Sequence, residues 1–277
     1  LERMIAVGLP LTESALRLAT EDGVARAAES LAATDTIEVF DAGDQPVYRV
    51  RRGHHLTAAF YRNAIVHHYV GGAIGELALL YAAELDVSAD GRVDAFWDEA
   101  TRLRHLLEFD FFFEQREQFR VTLAEEVRGR IPEWEEQLAS GVEPTVLLDK
   151  MQPLSAFAVL RPFIEAYLIV GRTLLEMPAN GEVDRKALLK RGLALGEQWV
   201  QQDRVRSPEA VSKHMFDSAI KLAEHRRLIG GPDVPASRTM ALRQAFVDEL
   251  ADVARRIDRV EERTYDAAGR SLTDARW

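Results

Sequence analysis

The chain has 277 residues, of which 47% are hydrophobic and 29% charged, and its formal net charge is −10. This composition is typical of a soluble globular protein, and the length suffices for one large domain or two small ones. The chain contains no cysteine, which excludes disulfides, thiolate zinc sites and cysteine nucleophiles. The acidic balance argues against a dedicated nucleic-acid-binding protein, because such a protein needs a basic face.

The first fifty residues predict two short helices followed by a β-hairpin. Apolar residues recur at helical spacing over residues 12–19 and 22–33, and residues 36–40 and 47–50 alternate around a segment rich in turn formers. Two helices before a hairpin resemble a winged-helix module, which is an analogy of fold and not of function. The chain begins at Leu1 without an initiator methionine or a signal-peptide pattern, so we interpret it as a piece of a longer protein.

From residue 56 onward the pattern predicts long helices, at residues 58–81, 94–107, 114–130, 154–177, 185–202 and 208–227, and a final one through Val260 with a fraying tail from Tyr265. We expect the 58–81 helix to be buried nearly all round, and the 208–227 helix to begin with Ser207 as N-cap and Pro208 in its first turn. The predicted fold class is mainly α, a multi-helix bundle with a small winged-helix-like element at its N-terminus. The expected division is 1–55, 56–232 and 233–277.

The longest apolar stretch, residues 154–177, is long enough to suggest a membrane span. It carries Arg161, Glu165 and Arg172, and each charge near the bilayer centre costs roughly 2.5–3.5 kcal/mol to insert. We therefore predict a buried helix of a soluble core and no transmembrane segment.

Histidines occur as two adjacent pairs, His54–His55 and His67–His68, which raises the question of a metal site. Adjacent residues on a helix point about 100° apart, so each pair offers at most one ligand to a shared ion. No His-Glu-x-x-His spacing is present, and the glycine patterns of nucleotide-binding loops and serine-hydrolase elbows are absent. We predict neither a metal nor a cofactor.

Residues 105–110, His-Leu-Leu-Glu-Phe-Asp, fit the His-x-x-x-x-Asp signature of acyltransferases. In that chemistry His105 would act as general base toward a hydroxyl group, and Asp110 would orient the imidazole. The pattern is short and lies at the end of an amphipathic helix, whereas the chemistry needs the pair at the mouth of a cleft. Spacing alone therefore favours a chance match, and catalysis by this pair stays an alternative.

Three segments together resemble one family. They are residues 58–70, with Tyr61-Arg62-Asn63 and His67, residues 103–113, with Leu106-Leu107-Glu108-Phe109-Asp110-Phe111-Phe112-Phe113, and residues 207–213 with the Arg227-Leu228-Ile229 ending. In order and spacing they are similar to the C-terminal region of bacterial and mitochondrial glycerol-3-phosphate acyltransferases. The resemblance extends from near residue 1 to about residue 230.

The resemblance implies that His105 is not catalytic. In that family the His-x-x-x-x-Asp motif lies far upstream and is followed by a Gly-x-x-Phe-Ile-Arg-Arg segment and a Glu-Gly-x-x-Ser segment. This chain has no Phe-Ile-Arg-Arg and no Glu-Gly dipeptide. We therefore expect no catalytic residue here, and the HLLEFD match falls in the downstream block.

The resemblance also implies a function for a larger parent protein. The parent would transfer a fatty acyl chain from acyl-CoA or acyl-carrier protein to the first hydroxyl of glycerol 3-phosphate. It would work as a peripheral protein on the cytoplasmic side of the cell membrane. This region would support the upstream acyltransferase domain, its expected partner, without being active alone, and self-association into a homo-oligomer stays open.

Four polar residues within the predicted apolar helix are candidates for a structural role, namely Tyr61, Arg62, Asn63 and His67. Buried polar groups need hydrogen-bond partners. We interpret the four as a hydrogen-bonded structural cluster first, and as an interface to the acyltransferase domain second.

Three alternatives belong to other classes. The main one is a helical ligand-sensing, DNA-binding regulator. Its only basic cluster near the hairpin is Arg49, Arg51 and Arg52, and three acidic residues nearby and a net charge of −10 oppose DNA binding. The second is an autonomous enzyme that uses His105 and Asp110. The third is docking of the long helices on a membrane surface, for which the sequence offers no basic amphipathic face.

Overall fold

A computed structural model describes residues 21–41, 46–51, 53–63, 65–180, 183–230 and 234–267 of the chain. These residues form eleven α-helices and a two-stranded sheet, which confirms the mainly α prediction. The chain divides into an N-terminal unit, residues 1–68, and a C-terminal unit, residues 69–277. The expected division at residues 55 and 232 stays a prediction.

The N-terminal unit contains the predicted hairpin between two helices. Its elements are α1 (Glu21–Ala33), β1 (Ile37–Phe40), β2 (Val47–Val50), α2 (His55–Asn63) and a 3₁₀ turn (Val66–His68). The strands are antiparallel, and the Glu38 carboxylate lies 2.7 Å from the Arg49 guanidinium directly opposite. The hairpin and the 22–33 helix are confirmed, whereas the helix predicted over residues 12–19 lies outside the described residues.

The C-terminal unit is a bundle built around one apolar helix. Its elements are α3 (Val70–Glu84), α4 (Ala89–Leu107), α5 (Arg116–Arg128), α6 (Trp134–Ala139), α7 (Pro144–Lys150), α8 (Ala156–Leu175), α9 (Arg185–Gln201), a 3₁₀ turn (Pro208–Ala210), α10 (Lys213–His225) and α11 (Ala236–Ala267). Helix α8 packs against α3, α9, α10 and α11, and α3 packs in turn against α4, α5 and α7. The core therefore lies around α8 and α3.

The prediction of one buried helix over residues 58–81 was wrong. Helix α2 ends at Asn63, and the backbone N–H groups of Ile65 and His68 donate to carbonyls three residues back, which tightens the chain into 3₁₀ geometry before α3 begins. Only α3 is apolar nearly all round, with every residue from Gly72 to Leu80 buried. Phe60 and Ile65, expected inside, are 74% and 48% exposed.

Other helix boundaries also differ from the predictions, and α4 begins at Ala89 where residue 94 was expected. The helix expected from Pro208 begins at Lys213, where the Ser212 hydroxyl accepts the Met215 N–H, and residues 208–210 form one 3₁₀ turn. The Ser207 side chain makes no capping hydrogen bond to this turn, and the Ser207 backbone N–H donates to the Glu165 carboxylate of α8 at 2.9 Å. At the C-terminal end α11 continues through Tyr265, where fraying was expected.

The apolar stretch at residues 154–177 forms α8, as predicted, with its central residues buried in the bundle. Two of the three charged residues named above have partners there: the buried guanidinium of Arg161 donates to Asp258 and Glu261 of α11, and the Glu165 carboxylate accepts backbone N–H groups, whereas Arg172 is exposed. Within the described residues, none of the helices combines the length and the apolar character needed to cross a membrane.

Candidate functional site

The HLLEFD segment lies where α4 ends, and its two candidate residues have different neighbours. His105 is exposed in the last turn of α4, with Nδ1 3.6 Å from the Glu108 carboxylate. Asp110 follows the end of the helix and accepts a hydrogen bond from the Tyr167 hydroxyl of α8. The structure therefore joins Asp110 to α8 and leaves His105 beside Glu108, so no contact joins the two residues that the catalytic alternative would pair.

Asp110 and Tyr167 form a polar contact inside the bundle. Burial raises the pKa of Asp110, against the hydrogen bond from Tyr167 and the nearby charges of His214 and Lys221 on α10. Burial and the adjacent carboxylate raise the pKa of Tyr167 well above its ordinary value, so the phenol stays neutral and donates. This arrangement attaches the loop after α4 to α8, and it places no imidazole against a hydroxyl group to act as a base.

Two of the three phenylalanines that follow Asp110 pack against other aromatic rings. The Phe111 ring lies 4.7 Å from that of Phe163 on α8, and the Phe113 ring lies 5.6 Å from that of Phe119 on α5. Edge-to-face geometry of this kind is favourable for aromatic pairs. Phe112 between them is 95% exposed.

A cavity of about 100 Å³ lies between α8, α11 and the segment after α9. Its charged walls include Arg161, Glu165, Arg206 and Asp258. The carboxylate of Glu165 accepts the backbone N–H groups of Arg206 and Ser207 at 2.9 Å each, and burial raises its pKa. Since ligand pockets usually enclose roughly 300–1,000 Å³, this cavity is small for a substrate. Two of its lining cations, Arg161 and Arg206, pair with carboxylates, whereas Arg204 lies over the Trp199 ring at 4.3 Å.

The four polar candidates of the predicted apolar helix lie around the end of α2. Asn63 and His67 are exposed, Arg62 is half-buried, and Arg62 Nη2 lies 3.3 Å from Asn63 Oδ1. The side chain of Tyr61 lies outside the described residues. The expectation that Asn63 and His67 are buried was wrong, because the helix ends at Asn63 instead of continuing into the core. A role at a domain interface stays a prediction.

The paired histidines of this segment contact each other rather than acidic residues. The rings of His67 and His68 lie 3.8 Å apart, and burial together with the charge of His67 lowers the pKa of His68. Across the ranges that the structure describes, no group of three or more histidine, aspartate and glutamate side chains is placed to hold a metal ion.

Buried charged residues that the sequence analysis missed hold both ends of α8. At its N-terminus the buried carboxylate of Glu76 accepts the N–H groups of Ser155 and Ala156, at 2.8 and 2.7 Å. At its C-terminus Arg243 of α11, fully buried, donates to the carbonyls of Leu174, Met177, Pro178 and Leu228. A signal for Arg243 was present, since it lies three and seven residues before the core positions Phe246 and Leu250.

Comparison with known proteins agrees with the resemblance. A family model described as the glycerol-3-phosphate acyltransferase C-terminal region matches residues 1–231. The chain is also similar to proteins provisionally named acyltransferase plsB1 from Mycobacterium bovis and from two strains of Mycobacterium tuberculosis, each 37% identical over 234 residues. The aligned part covers 84% of this chain and 37% of each relative, so the chain spans less than two fifths of their length.

Proposed function

Because the chain belongs to the family of glycerol-3-phosphate acyltransferase C-terminal regions, we propose that it is the non-catalytic C-terminal part of a glycerol-3-phosphate 1-O-acyltransferase. The family match over residues 1–231 carries this proposal. The parent protein transfers an acyl chain from acyl-CoA or acyl-carrier protein to the first hydroxyl of glycerol 3-phosphate. The region described above supports the acyltransferase domain that precedes it.

Two observations support a non-catalytic role. His105 and Asp110 have separate neighbours, Glu108 and Tyr167, which supports a chance match of the His-x-x-x-x-Asp pattern. The Phe-Ile-Arg-Arg and Glu-Gly sequences that accompany the acyltransferase motif in the family are absent from the chain. The reacting groups are therefore supplied by the rest of the parent.

The substrates of the proposed reaction suggest where the parent works. A fatty acyl chain and its lipid product partition into a bilayer, whereas glycerol 3-phosphate and acyl-CoA or acyl-carrier protein are water-soluble. The parent is accordingly a peripheral protein at the cytoplasmic face of the cell membrane, and it needs no cofactor for acyl transfer.

The DNA-binding regulator is not favoured. Its wing would have to present basic side chains to phosphates. Arg49 and Arg51 of the hairpin instead lie within 3.0 Å of the carboxylates of Glu38 and Asp35, respectively. Such pairs offset the positive charge of these two arginines, whereas Arg52 of the cluster lies outside the described residues.

Acyl transfer by the full-length parent tests the proposal. We expect turnover of glycerol 3-phosphate that His105→Ala changes by less than about twofold, since His105 is an exposed side chain outside the reacting site. A control variant, His225→Ala, removes the other histidine near Glu108. A loss of turnover by orders of magnitude in His105→Ala, with His225→Ala active, would make HLLEFD an active site.

A further inference from the structure

Exposed large apolar side chains are concentrated in the N-terminal unit. Among the described residues fourteen such side chains are exposed, and eight of them belong to residues 21–68, which are a small part of the described chain. Single exposed apolar residues are ordinary, but a concentration of them marks an interaction surface.

Within the N-terminal unit, helix α2 carries the two most exposed of these side chains. Leu56 and Phe60 are four residues apart, hence on one face of the helix, and they are 64% and 74% exposed. Ile65 follows the helix and is 48% exposed, whereas the small side chain of Ala59 is buried. A surface helix normally turns its large apolar residues inward. In the α2 surface, which we define as Leu56, Phe60 and Ile65, these residues instead face solvent.

The chain around the α2 surface has the polar character of an interface rim. No aspartate or glutamate occurs between Gln45 and Gly75, in a chain whose net charge is −10. The exposed Asn63 and His67 lie next to the apolar residues in sequence. Apolar and aromatic anchors with a hydrogen-bonding rim and few carboxylates are typical of protein–protein interfaces.

The hairpin of the same unit also favours a partner. A two-stranded sheet is marginally stable in water unless it packs on another surface, and helix α1 supplies one such surface through its contacts with β1. Here Phe40, Val47 and Tyr48 at the hairpin end are exposed. The unit therefore has apolar surface to bury on both its sheet and its second helix.

The observations favour the rest of the parent polypeptide as the occupant. The match covers 37% of each relative, so most of a relative's chain lies outside the part that corresponds to this one. A membrane surface is less favoured, because Arg49 and Arg51 are paired with carboxylates and leave little charge for anionic lipids. We propose that the α2 surface docks on the acyltransferase domain of the same polypeptide, an inference that rests on the proposed function.

Site-specific photo-crosslinking in the full-length parent identifies the occupant directly. A photoreactive benzoyl-phenylalanine in place of Leu56 should crosslink to peptides of the acyltransferase domain, identified by mass spectrometry. The same group in place of Val146 of α7, which is 48% exposed, is the matched control and should not. Crosslinks from position 56 only to this chain, to a second copy or to lipid would overturn the proposal.

A charge on the α2 surface provides a second test. Because Leu56 is exposed, Leu56→Asp should leave the melting temperature of the isolated chain unchanged while lowering that of the full-length parent and its turnover, the latter by about tenfold. Val146→Asp should match wild type in both proteins. Equal melting temperatures and turnover for Leu56→Asp and wild-type parent would refute the docking surface. A parent with no acyl transfer at all would instead refute the proposed function, and the crosslinks would still decide the surface.

Discussion

Arg243 shows how a buried charge is held without a carboxylate. In the part of the chain that the structure describes, no carboxylate lies within ion-pairing distance of its guanidinium, which donates instead to four backbone carbonyls. Three of these carbonyls belong to the last turn of α8 and the residues after it, where the helix dipole is negative and carbonyls lack partners within the helix. Burial lowers the pKa of Arg243, but an arginine remains protonated. Its guanidinium therefore donates to the carbonyls that lack partners at the end of α8.

Removing this guanidinium should be strongly destabilising. Arg243→Met keeps an unbranched apolar stem but removes the guanidinium and leaves the buried carbonyls of Leu174 and Met177 without these donors, and we expect a loss of about 3 kcal/mol or more. Denaturant unfolding of the isolated chain measures it. The matched variant Arg238→Met, exposed in the first turn of α11, should change stability by less than about 0.5 kcal/mol. Equal losses in the two variants would contradict this account of Arg243.

Asp110 predicts a pH dependence of stability. Its pKa is raised by burial, so the folded state binds its proton more tightly than the unfolded state does. Its contribution to stability is therefore fully present below the ordinary aspartate pKa of about 3.9 and is lost as the pH rises through the raised value. Asp110→Asn removes this pH-dependent loss of stability, because an amide does not ionise, and the amide oxygen can still accept the hydrogen bond from the Tyr167 hydroxyl.

The variant should accordingly be at least as stable as wild type at pH 7, with the difference shrinking as the pH falls toward 4 in urea unfolding. Asp98→Asn, an exposed position on α4, is the control and should show no such trend. The argument would be disproved if the stability of Asp110→Asn relative to wild type were lower at pH 7 than at pH 4, because the sign of the pH dependence would then be reversed.

At the scale of elements, α8 is positioned by groups from distant parts of the chain at both of its ends. Glu76 of α3 caps its N-terminus, where a negative charge opposes the positive end of the helix dipole, and Arg243 of α11 caps its C-terminus. Ser155 in the N-cap position makes no capping hydrogen bond with its own side chain. The central helix is thus fixed along its axis by α3 and α11.

The cap at Glu76 should be sensitive to a change of one atom. Glu76→Gln keeps the shape but replaces one acceptor oxygen by an NH₂ group that faces the N–H donors of Ser155 and Ala156, and we expect a loss of about 2 kcal/mol. Thermal unfolding followed by circular dichroism measures the change. Glu197→Gln on the exposed side of α9 is the control, and a Glu76→Gln chain as stable as that control would show that the cap has no energetic role.

The elements that the sequence predicted well are those defined by local patterns. The hairpin, α8 and α9 follow from alternation and helical periodicity within each segment. The break after Asn63 was missed because the pattern does not tell which half of an apolar stretch the core accommodates. The late start at Lys213 was missed because it depends on hydrogen bonds to groups outside the segment.

The candidate site shows the same limit. The pattern identified residues 105–110, but residues five apart on a helix point about 140° apart, and Asp110 lies beyond the helix end. The actual partner of Asp110 is Tyr167, 57 residues away, and the Glu76 cap spans 79 residues to Ser155. Neither contact has a local signature, whereas the family resemblance rests on ordered blocks and was confirmed.

At the scale of the whole molecule, the C-terminal unit extends beyond the residues that the family model matches. The match ends at residue 231, but α11 packs against α8 and α3. Arg256 of α11 is buried and pairs with the buried Glu99 of α4 at 2.9 Å, and its guanidinium lies 5.1 Å from the Tyr81 ring. Helix α11 is therefore an integral part of this core.

Truncation after residue 231 should prevent folding of the C-terminal unit. It removes a row of buried apolar side chains, each worth roughly 1.5–3 kcal/mol on burial, namely Val247, Leu250, Val253, Ile257 and Val260. Their sum is comparable with the whole stability of a typical domain, about 5–15 kcal/mol. Calorimetry should show no cooperative transition for the truncated chain, whereas the whole 277-residue chain should show one. A cooperative transition at an unchanged temperature after truncation at 231 would show that α11 is dispensable.

The most direct test of the central claim is acyl transfer to glycerol 3-phosphate by this chain alone, beside the full-length parent, with the lysophosphatidate product identified by mass spectrometry. A non-catalytic C-terminal region predicts product from the parent and none from the isolated, folded chain. Turnover by the isolated chain that His105→Ala abolishes would contradict the account.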